Sequence, residues 1–185
     1  MAIGFVRPAR VADAAEIARV QLSTWRTAYR RLLPRQALER LDEAFLAEAW
    51  REAVAEPPGP HHRVLVAVEQ GEREHLVGFA ASGPADEAAL APDEKPLPED
   101  VASITDLLVE PRWGRRGHGS RLLAASVDLW RESGFTSAVA WAYQGDVATQ
   151  RFLTSAGWQP DGAGRALDVE DLLVPQVRLH TLLVE

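Results

Sequence analysis

A chain of 185 residues, 46% of them hydrophobic, is long enough for one domain with a substantial core and too short for two, so residues 1–185 are read as a single domain. A formal charge of -7 argues against a general nucleic-acid binder, which needs a broad basic face, and the absence of cysteine excludes disulfides, thiolate metal sites and a cysteine nucleophile. The first residues, Met1 to Pro8, lack the charged and apolar regions of a signal peptide, and no apolar run approaches the ~20 residues of a membrane span, so a cytoplasmic protein with no membrane partner is expected.

Ile3 to Arg7 alternates as a strand does, and Asp13 with Glu16 three residues later forms a capping-box pattern for a helix whose Ile17, Val20 and Thr24 share one face. Pro34 suits the first turn of a second helix running through Leu38, Leu41, Phe45 and Trp50, which Pro57-Pro58-Gly59-Pro60 ends. His61 and His62 are adjacent and lack further ligands nearby, so they read as loop and not as a metal site. Arg63 to Glu69 and His75 to Ser82 are apolar or β-branched runs separated by Gln70-Gly71-Glu72-Arg73, the pattern of a hairpin.

Gly83 to Asp100 is rich in proline, alanine and acidic residues, shows no periodicity, and is expected to be a mobile loop. Ala102 to Val109 is a fourth strand. Gly117 to Ser133 is a helix with Leu122, Ala125 and Leu129 inward and Gly134 at its end. Ser137 to Ala142, Ala148 to Ala156, Trp158 to Leu167 and Val174 to Leu183 complete a strand-helix-strand-strand ending, and Trp113, Trp130 and Trp158 read as packing residues.

The join between the fourth strand and the helix after it carries the most chemistry. Val109 to Leu123 reads V-E-P-R-W-G-R-R-G-H-G-S-R-L-L. Gly117 and Gly119 lack side chains that would hold a ligand away from the backbone, and the helix beyond them directs its unpaired N–H groups and positive dipole end to the same place. Arg112, Arg115, Arg116 and Arg121 reverse the local charge in an acidic chain, which suits a polyanion. A P-loop needs Gly-Lys-Ser/Thr where Gly119 is followed by Ser120 and Arg121, and the dinucleotide fingerprint needs a glycine where Leu122 stands. An ordinary tight connection remains the competing reading.

Val109, Pro111, Gly117 and Gly119 fall in register with the phosphate loop of the GNAT superfamily of acyl-CoA N-acyltransferases, and this segment resembles it. A later run with Trp141, Asp146, Ala148, Phe152, Gly157 and Trp158 in place is similar to that family's second motif. Arg7-Pro8-Ala9 with Asp13 and Ile17, and Trp25, Tyr29 and Leu32-Leu33-Pro34, extend the resemblance over nearly the whole chain. It implies an α/β fold in a single domain: a mixed central sheet of about seven strands, flanked by about four helices and splayed between the fourth and fifth strands.

It also implies an N-acetyltransferase that moves an acetyl group from acetyl-CoA to a primary amine of a small molecule or a protein by direct attack, with no metal. A homodimer is compatible with this reading. Backbone groups of Leu107, Leu108 and Val109 would meet the pantetheine arm, those of Arg115, Arg116, Gly117, His118, Gly119 and Ser120 the pyrophosphate, and Asp146 and Phe152 would complete the cofactor site. Asp146 stands where the family usually has asparagine, and a carboxylate accepts hydrogen bonds without donating them. Gly114 stands where glutamine or arginine is usual, with Arg115 and Arg116 able to supply the charge.

Two usual catalytic groups are replaced. Ser103 occupies the place of a glutamate on the fourth strand, which leaves Asp106 as the candidate base, against the alternative that it is solvated or pairs with an arginine. Leu153 occupies the place of a tyrosine that protonates the leaving thiolate, which leaves Tyr143 as the candidate acid, against a plain strand-end role. Trp25, Tyr29 and Ser103 are candidates for the acceptor, the two aromatics competing with a core-packing role. A non-catalytic CoA-binding sensor or scaffold and an enzyme for a longer acyl-CoA are the rivals.

Overall fold

The structure, a computed structural model, describes residues 3–183; Met1 and Ala2, part of the stretch read for a leader, lie outside the described residues. The strands are β1 (Ile3–Pro8), β2 (Arg63–Gln70), β3 (Glu74–Pro84), β4 (Val101–Val109), β5 (Ser137–Tyr143), β6 (Gln159–Val169) and β7 (Leu172–Leu182). The helices are α1 (Ala14–Ala28), α2 (Arg35–Glu39), α3 (Glu43–Ala55), α4 (His118–Glu132) and α5 (Val147–Ser155). The strands form one sheet in the order β1-β2-β3-β4-β5-β7-β6, antiparallel throughout except for the β4–β5 pair. This is the mixed seven-stranded α/β architecture that the resemblance implies.

The apolar alternation along β2 divides the core between the two faces of the sheet. Leu65 and Ala67 pack with Val77, Ala80, Leu122, Trp130 and Trp158 beneath α4 and α5, whereas Val66 and Val68 pack with Phe79, Ile17 and Val20 beneath α1. Trp130 and Trp158 are both 1% exposed and meet edge to face, as the packing role assigned to them requires. On α4 the buried residues are His118, Leu122, Leu123, Ser126 and Trp130, so the inward face is turned from the expected one and leaves Ala125 and Leu129 at its rim.

Two helix expectations need correction. The long second helix is two helices, because Asp42 adopts an extended conformation and its carboxylate accepts from the backbone N–H of Phe45, which starts α3 afresh. Asp13 does not cap α1 with its side chain: its carboxylate accepts from the backbone N–H of Arg10 and pairs with the Arg7 guanidinium at 2.7 Å, while Glu16 pairs with Arg19.

Residues 85–100 are a loop with one short 3-10 turn, Glu87–Ala89, but the expectation of mobility gives way to a set of anchors. Arg178, 4% exposed on β7, donates to both carboxylate oxygens of Glu94 at 2.7 and 2.6 Å and to the carbonyl of Ala89 at 2.9 Å. Trp141 Nε1 and Arg165 donate to the carbonyls of Ala89 and Ala88.

Two irregularities in β4 shape everything that follows. First, Ala81 faces Asp106 across the β3–β4 pair while Ser82 faces Ile104, so Thr105 is an inserted residue, a β-bulge. Its consequence is a change of face within one strand. Ala102 and Ile104, then Leu107 and Val109, join the core beneath α4, whereas Leu108 joins the core beneath α1 and Ser103 and Asp106 line one cleft with Trp50 of α3. Second, the parallel pairing to β5 runs from Val101↔Ser137 to Ile104↔Ala140 and stops. Beyond it, Asp106 to Val109 pair only with β3, while Trp141 to Tyr143 pair with β7. The sheet is splayed at that point.

Candidate functional site

The splay leaves one edge of β4 without a strand partner, and three cavities follow that edge in sequence. The first, about 390 Å³, is lined by Leu107, Val109, Trp113, Gly114, Arg115, Gly117, His118, Gly119, Ser120, Ala148, Thr149 and Phe152. The second, about 130 Å³, lies in the splay itself between Thr105 to Leu108 of β4 and Ala140 to Tyr143 of β5, closed by Trp25, Tyr29, Asp146 and Leu153. The third, about 210 Å³, is lined by Asp106 together with Trp50, His62, Asp86 and Ser103. Leu107 and Thr149 belong to the first and second, Thr105 and Asp106 to the second and third. Neighbouring cavities therefore share walls, and the Asp106 carboxylate belongs to the wall between the second and third.

The first cavity is built by the turn into α4. Gly117 caps the helix at φ +80°, a conformation that favours glycine, and α4 begins at His118. The first described backbone bond of this turn runs from Arg121 N–H to the Gly117 carbonyl, so the N–H groups of His118, Gly119 and Ser120 have no helical partner. A Cβ on Gly119 would stand 3.4 Å from the ring of Phe152 and 3.8 Å from Val109, inside the space the cavity occupies. Arg115 also has a positive φ, +61°, and lines the cavity. These are the features of an anion cradle.

One residue is placed otherwise than expected. The guanidinium of Arg116 is turned out of the cradle: Nη1 donates to Glu69 at 2.7 Å and the group lies over the Trp113 ring at 4.9 Å. Trp113 packs against the core beneath α4, as read from the sequence, and it also walls the cradle and stacks on His75 at 5.9 Å. The imidazole of His118 is likewise buried, 1% exposed, on Glu69, so only its backbone is available to the cradle.

In the second cavity Asp106 is half-buried and accepts a hydrogen bond from the Thr105 hydroxyl at 3.1 Å. Burial raises its carboxyl to about 6, with the Thr105 bond pulling the other way. Among the described residues it has no arginine partner, which removes one of the alternatives to its role as base. Tyr143, at the end of β5, is held protonated to higher pH by burial, a shift that Arg165 opposes. Tyr29, the C-cap of α1, meets Tyr143 edge to face at 5.1 Å and lies 6.4 Å from Trp25, so both aromatics wall the cleft.

Asp146 caps α5, its two oxygens accepting from the backbone N–H and the hydroxyl of Thr149 at 3.1 and 2.6 Å. That explains why a carboxylate is tolerated at this position. Leu153 is 2% exposed against the core and reaches the cleft, where it supplies no proton. Ser103, 7% exposed, lies in the third cavity.

The sequence reading missed Glu69, Thr105 and Thr149. Glu69 had a signal: it takes the inward parity of Leu65 and Ala67 and directly follows the apolar run Val64 to Val68. Thr105 had none, since a bulge follows from pairing and not from composition. Thr149 was legible only as the third residue after a capping carboxylate.

The chain matches the family described as the Acetyltransferase (GNAT) family over residues 22–158. It is 27% identical over 139 residues to a protein of Bacillus subtilis (strain 168) named uncharacterized N-acetyltransferase YuaI, covering 75% of this chain and 71% of that protein. Among solved structures it resembles the PaiA N-acetyltransferase of Thermoplasma acidophilum, solved with coenzyme A, with TM-score 0.69, 12% identity and 97% and 99% of the two chains covered. It also resembles YncA of Salmonella typhimurium, solved with its cofactor acetyl-CoA, with TM-score 0.68, 19% identity and coverages of 98% and 95%.

Proposed function

The chain belongs to the GNAT acetyltransferase family and is an acyl-CoA-dependent acetyltransferase, and from that premise we propose that it transfers an acetyl group from acetyl-CoA to a primary amine within one ternary complex. The observation that carries this reading is the position of Asp106 on the wall shared by the splay cleft and the cavity beyond it. An amine entering from the Ser103 side meets the carboxylate before it meets the thioester.

Acetyl-CoA supplies an activated thioester carbonyl. The unpaired N–H groups of His118, Gly119 and Ser120 hold its pyrophosphate, and the open edge of β4 at Leu107 to Val109 lies along its arm. Asp106, ionised above about pH 6, takes the proton that an alkylammonium of pKa ~10.4 must lose. The amine nitrogen then bonds to the carbonyl carbon, the C–S bond breaks, and the nitrogen gives up its second proton to solvent, to which Asp106 also returns the one it took. The departing sulfur takes the phenolic proton of Tyr143, which solvent restores.

Trp25 and Tyr29 present aromatic faces to the acceptor amine. The small splay cleft, about 130 Å³ and closed by Leu153 and the two tyrosines, favours acetyl over a longer acyl group. A carboxylate tuned to about 6 with no arginine partner among the described residues favours an enzyme over a passive CoA sensor.

The test is calorimetric titration with acetyl-CoA, CoA and 3′-dephospho-CoA, followed by thiol release with a panel of primary amines. Saturable binding of acetyl-CoA and CoA, with turnover on at least one amine, is the expected result. No binding at millimolar ligand overturns the reading. Tight binding with no turnover on any amine leaves the sensor.

A further inference from the structure

Glu69 is an acid that directly follows the apolar run Val64 to Val68 of its strand. It is 6% exposed, at the end of β2, and the transfer chemistry outlined above gives it no part. Its two oxygens have different partners. Oε2 lies 2.5 Å from His118 Nε2, and Oε1 accepts from Arg116 Nη1 at 2.7 Å. Those partners are the residues immediately before and after Gly117, the single left-handed glycine of the cradle turn. One carboxylate therefore grips the turn on both sides of its most permissive residue.

A third tie completes the arrangement. Arg121 Nη2, one turn along α4, donates to the carbonyl of Arg116 at 3.1 Å and lies 3.3 Å from His118 Nδ1. These contacts select a tautomer. A neutral imidazole with its proton on Nε2 donates to Glu69 and offers the Nδ1 lone pair to Arg121. The space is specific too: a Cβ on Gly4 of β1 would stand 2.2 Å from Arg121 Nη2 and 2.9 Å from His118 Cε1. Burial pushes the Glu69 carboxyl up, and the hydrogen bonds from His118 and Arg116 outweigh it, leaving the group below the usual carboxylate range.

We propose that Glu69 is a positioning residue for acyl-CoA binding: through His118 and Arg116 it fixes the Gly117 turn so that the N–H groups of His118, Gly119 and Ser120 converge before the ligand arrives. The proposal rests on the reading of this turn as the CoA pyrophosphate cradle. A glycine turn left to itself samples several conformations, and converging donors that are ordered in advance spare the ligand that ordering cost. Glu69 touches neither ligand nor reacting atoms, so its removal weakens binding and leaves the chemical step intact.

Glu69→Gln keeps the shape and removes the second acceptor. A carboxamide accepts from Arg116 or from His118 but not both. If its NH2 faces His118, the ring proton moves to Nδ1, against the Arg121 guanidinium. The expected result is a rise of about tenfold in KM for acetyl-CoA, and in the calorimetric Kd for CoA, with kcat and the KM for the amine unchanged. Unchanged affinity, or a fall in kcat alone, overturns the proposal.

Arg116→Met provides the cycle. If Arg116 acts through Glu69, the double variant binds CoA no more weakly than Glu69→Gln alone. If the two losses add, Arg116 acts on the ligand directly and the clamp is refuted. A measurement on the unaltered protein decides the matter even if the variants do not fold. Amide order parameters of Gly117 to Ser120 in the ligand-free protein should be near the ~0.85 of rigid backbone, and values below about 0.6 overturn the clamp. A wild-type protein that binds no CoA refutes the cradle instead, and the order parameters still judge the clamp.

Discussion

The rings of Tyr29 and Tyr143 meet edge to face across the splay, with 5.1 Å between centroids and 75° between planes. One caps the first helix at its C-terminus and the other ends the fifth strand, so the contact joins the two sides of the cleft and, on the proposed function, the wall facing the acceptor to the strand facing the thioester. Burial, with the Asp146, Tyr143 and Asp106 charges adding to it, also keeps the Tyr29 phenol protonated well above its usual range.

Tyr143→Phe separates the ring from the hydroxyl. The edge-to-face contact survives the substitution, so a structural role for the ring predicts no kinetic change. A proton donor predicts a fall of about 10²-fold in kcat with little change in KM for acetyl-CoA. Steady-state thiol release at pH 7 measures both, and a wild-type kcat removes the role.

As the proposed base, Asp106 should couple activity to pH while opposing stability. Its carboxyl in the folded protein, about 6, lies above the 3.8 of a free aspartate, so the folded state binds this proton more tightly than the unfolded state does. Stability from this group is full below about pH 4 and is lost as pH rises towards 6. Activity has the opposite sense, because a base must be ionised: kcat/KM should climb through a pKa near 6. Asp106→Asn should abolish that limb, lower kcat at least 10²-fold, and raise stability at pH 7.5 by roughly 1–3 kcal/mol. A pH–rate profile and a thermal melt check the two halves, and a melt that moves down contradicts the desolvation account.

Gly119 and Gly117 are small for different reasons. At Gly119 an added Cβ meets Phe152 at an ordinary 3.4 Å, so Gly119→Val should fold normally, fill the cradle, and lose CoA binding by more than about tenfold in calorimetry. At Gly117 the φ of +80° is the constraint, so Gly117→Ala should destabilise the protein by about 1–2 kcal/mol as well as weaken binding. Equal stability losses for the two variants would contradict this distinction.

The order of strands and helices was legible because most of these elements announce themselves by period and punctuation: alternation in Ile3 to Arg7, the glycine-bearing hairpin at Gln70 to Arg73, and Gly117 and Gly134 around α4. The cradle was legible in its glycines. What escaped depended on partners distant in sequence. Asp42 restarts a helix that the apolar spacing of Leu38, Leu41 and Phe45 runs straight through, and nothing local in Arg116 shows that Glu69, 47 positions earlier, will claim it. The proposed acceptor role of Trp25 and Tyr29 came from resemblance, since two aromatics one turn apart fit a core equally well.

The loop of residues 85–100 makes a further test. Arg178, with 5% of its side chain exposed, ties Glu94, Asp161 and the Ala89 carbonyl together, and removing one partner of a buried pair costs about 3 kcal/mol. Arg178→Met should therefore lower Tm and open residues 85–99 to limited proteolysis, with first cuts in that segment. Cleavage that begins elsewhere would show that the loop has other anchors.

The bulge at Thr105 gives β4 a reading frame. A strand assigns its residues alternately to two sides, and one extra residue exchanges those assignments for all that follows. Flattening the bulge while keeping every residue of the strand would remove no side chain that the proposed reaction uses. It would nevertheless send Asp106 and Leu108 to the side now held by Leu107 and Val109, with an acid in the core and the amine's path left without a base, whereas removing Thr105 together with the bulge would leave both where they are. The catalytic arrangement of this strand depends on a count as much as on the identity of any residue in it.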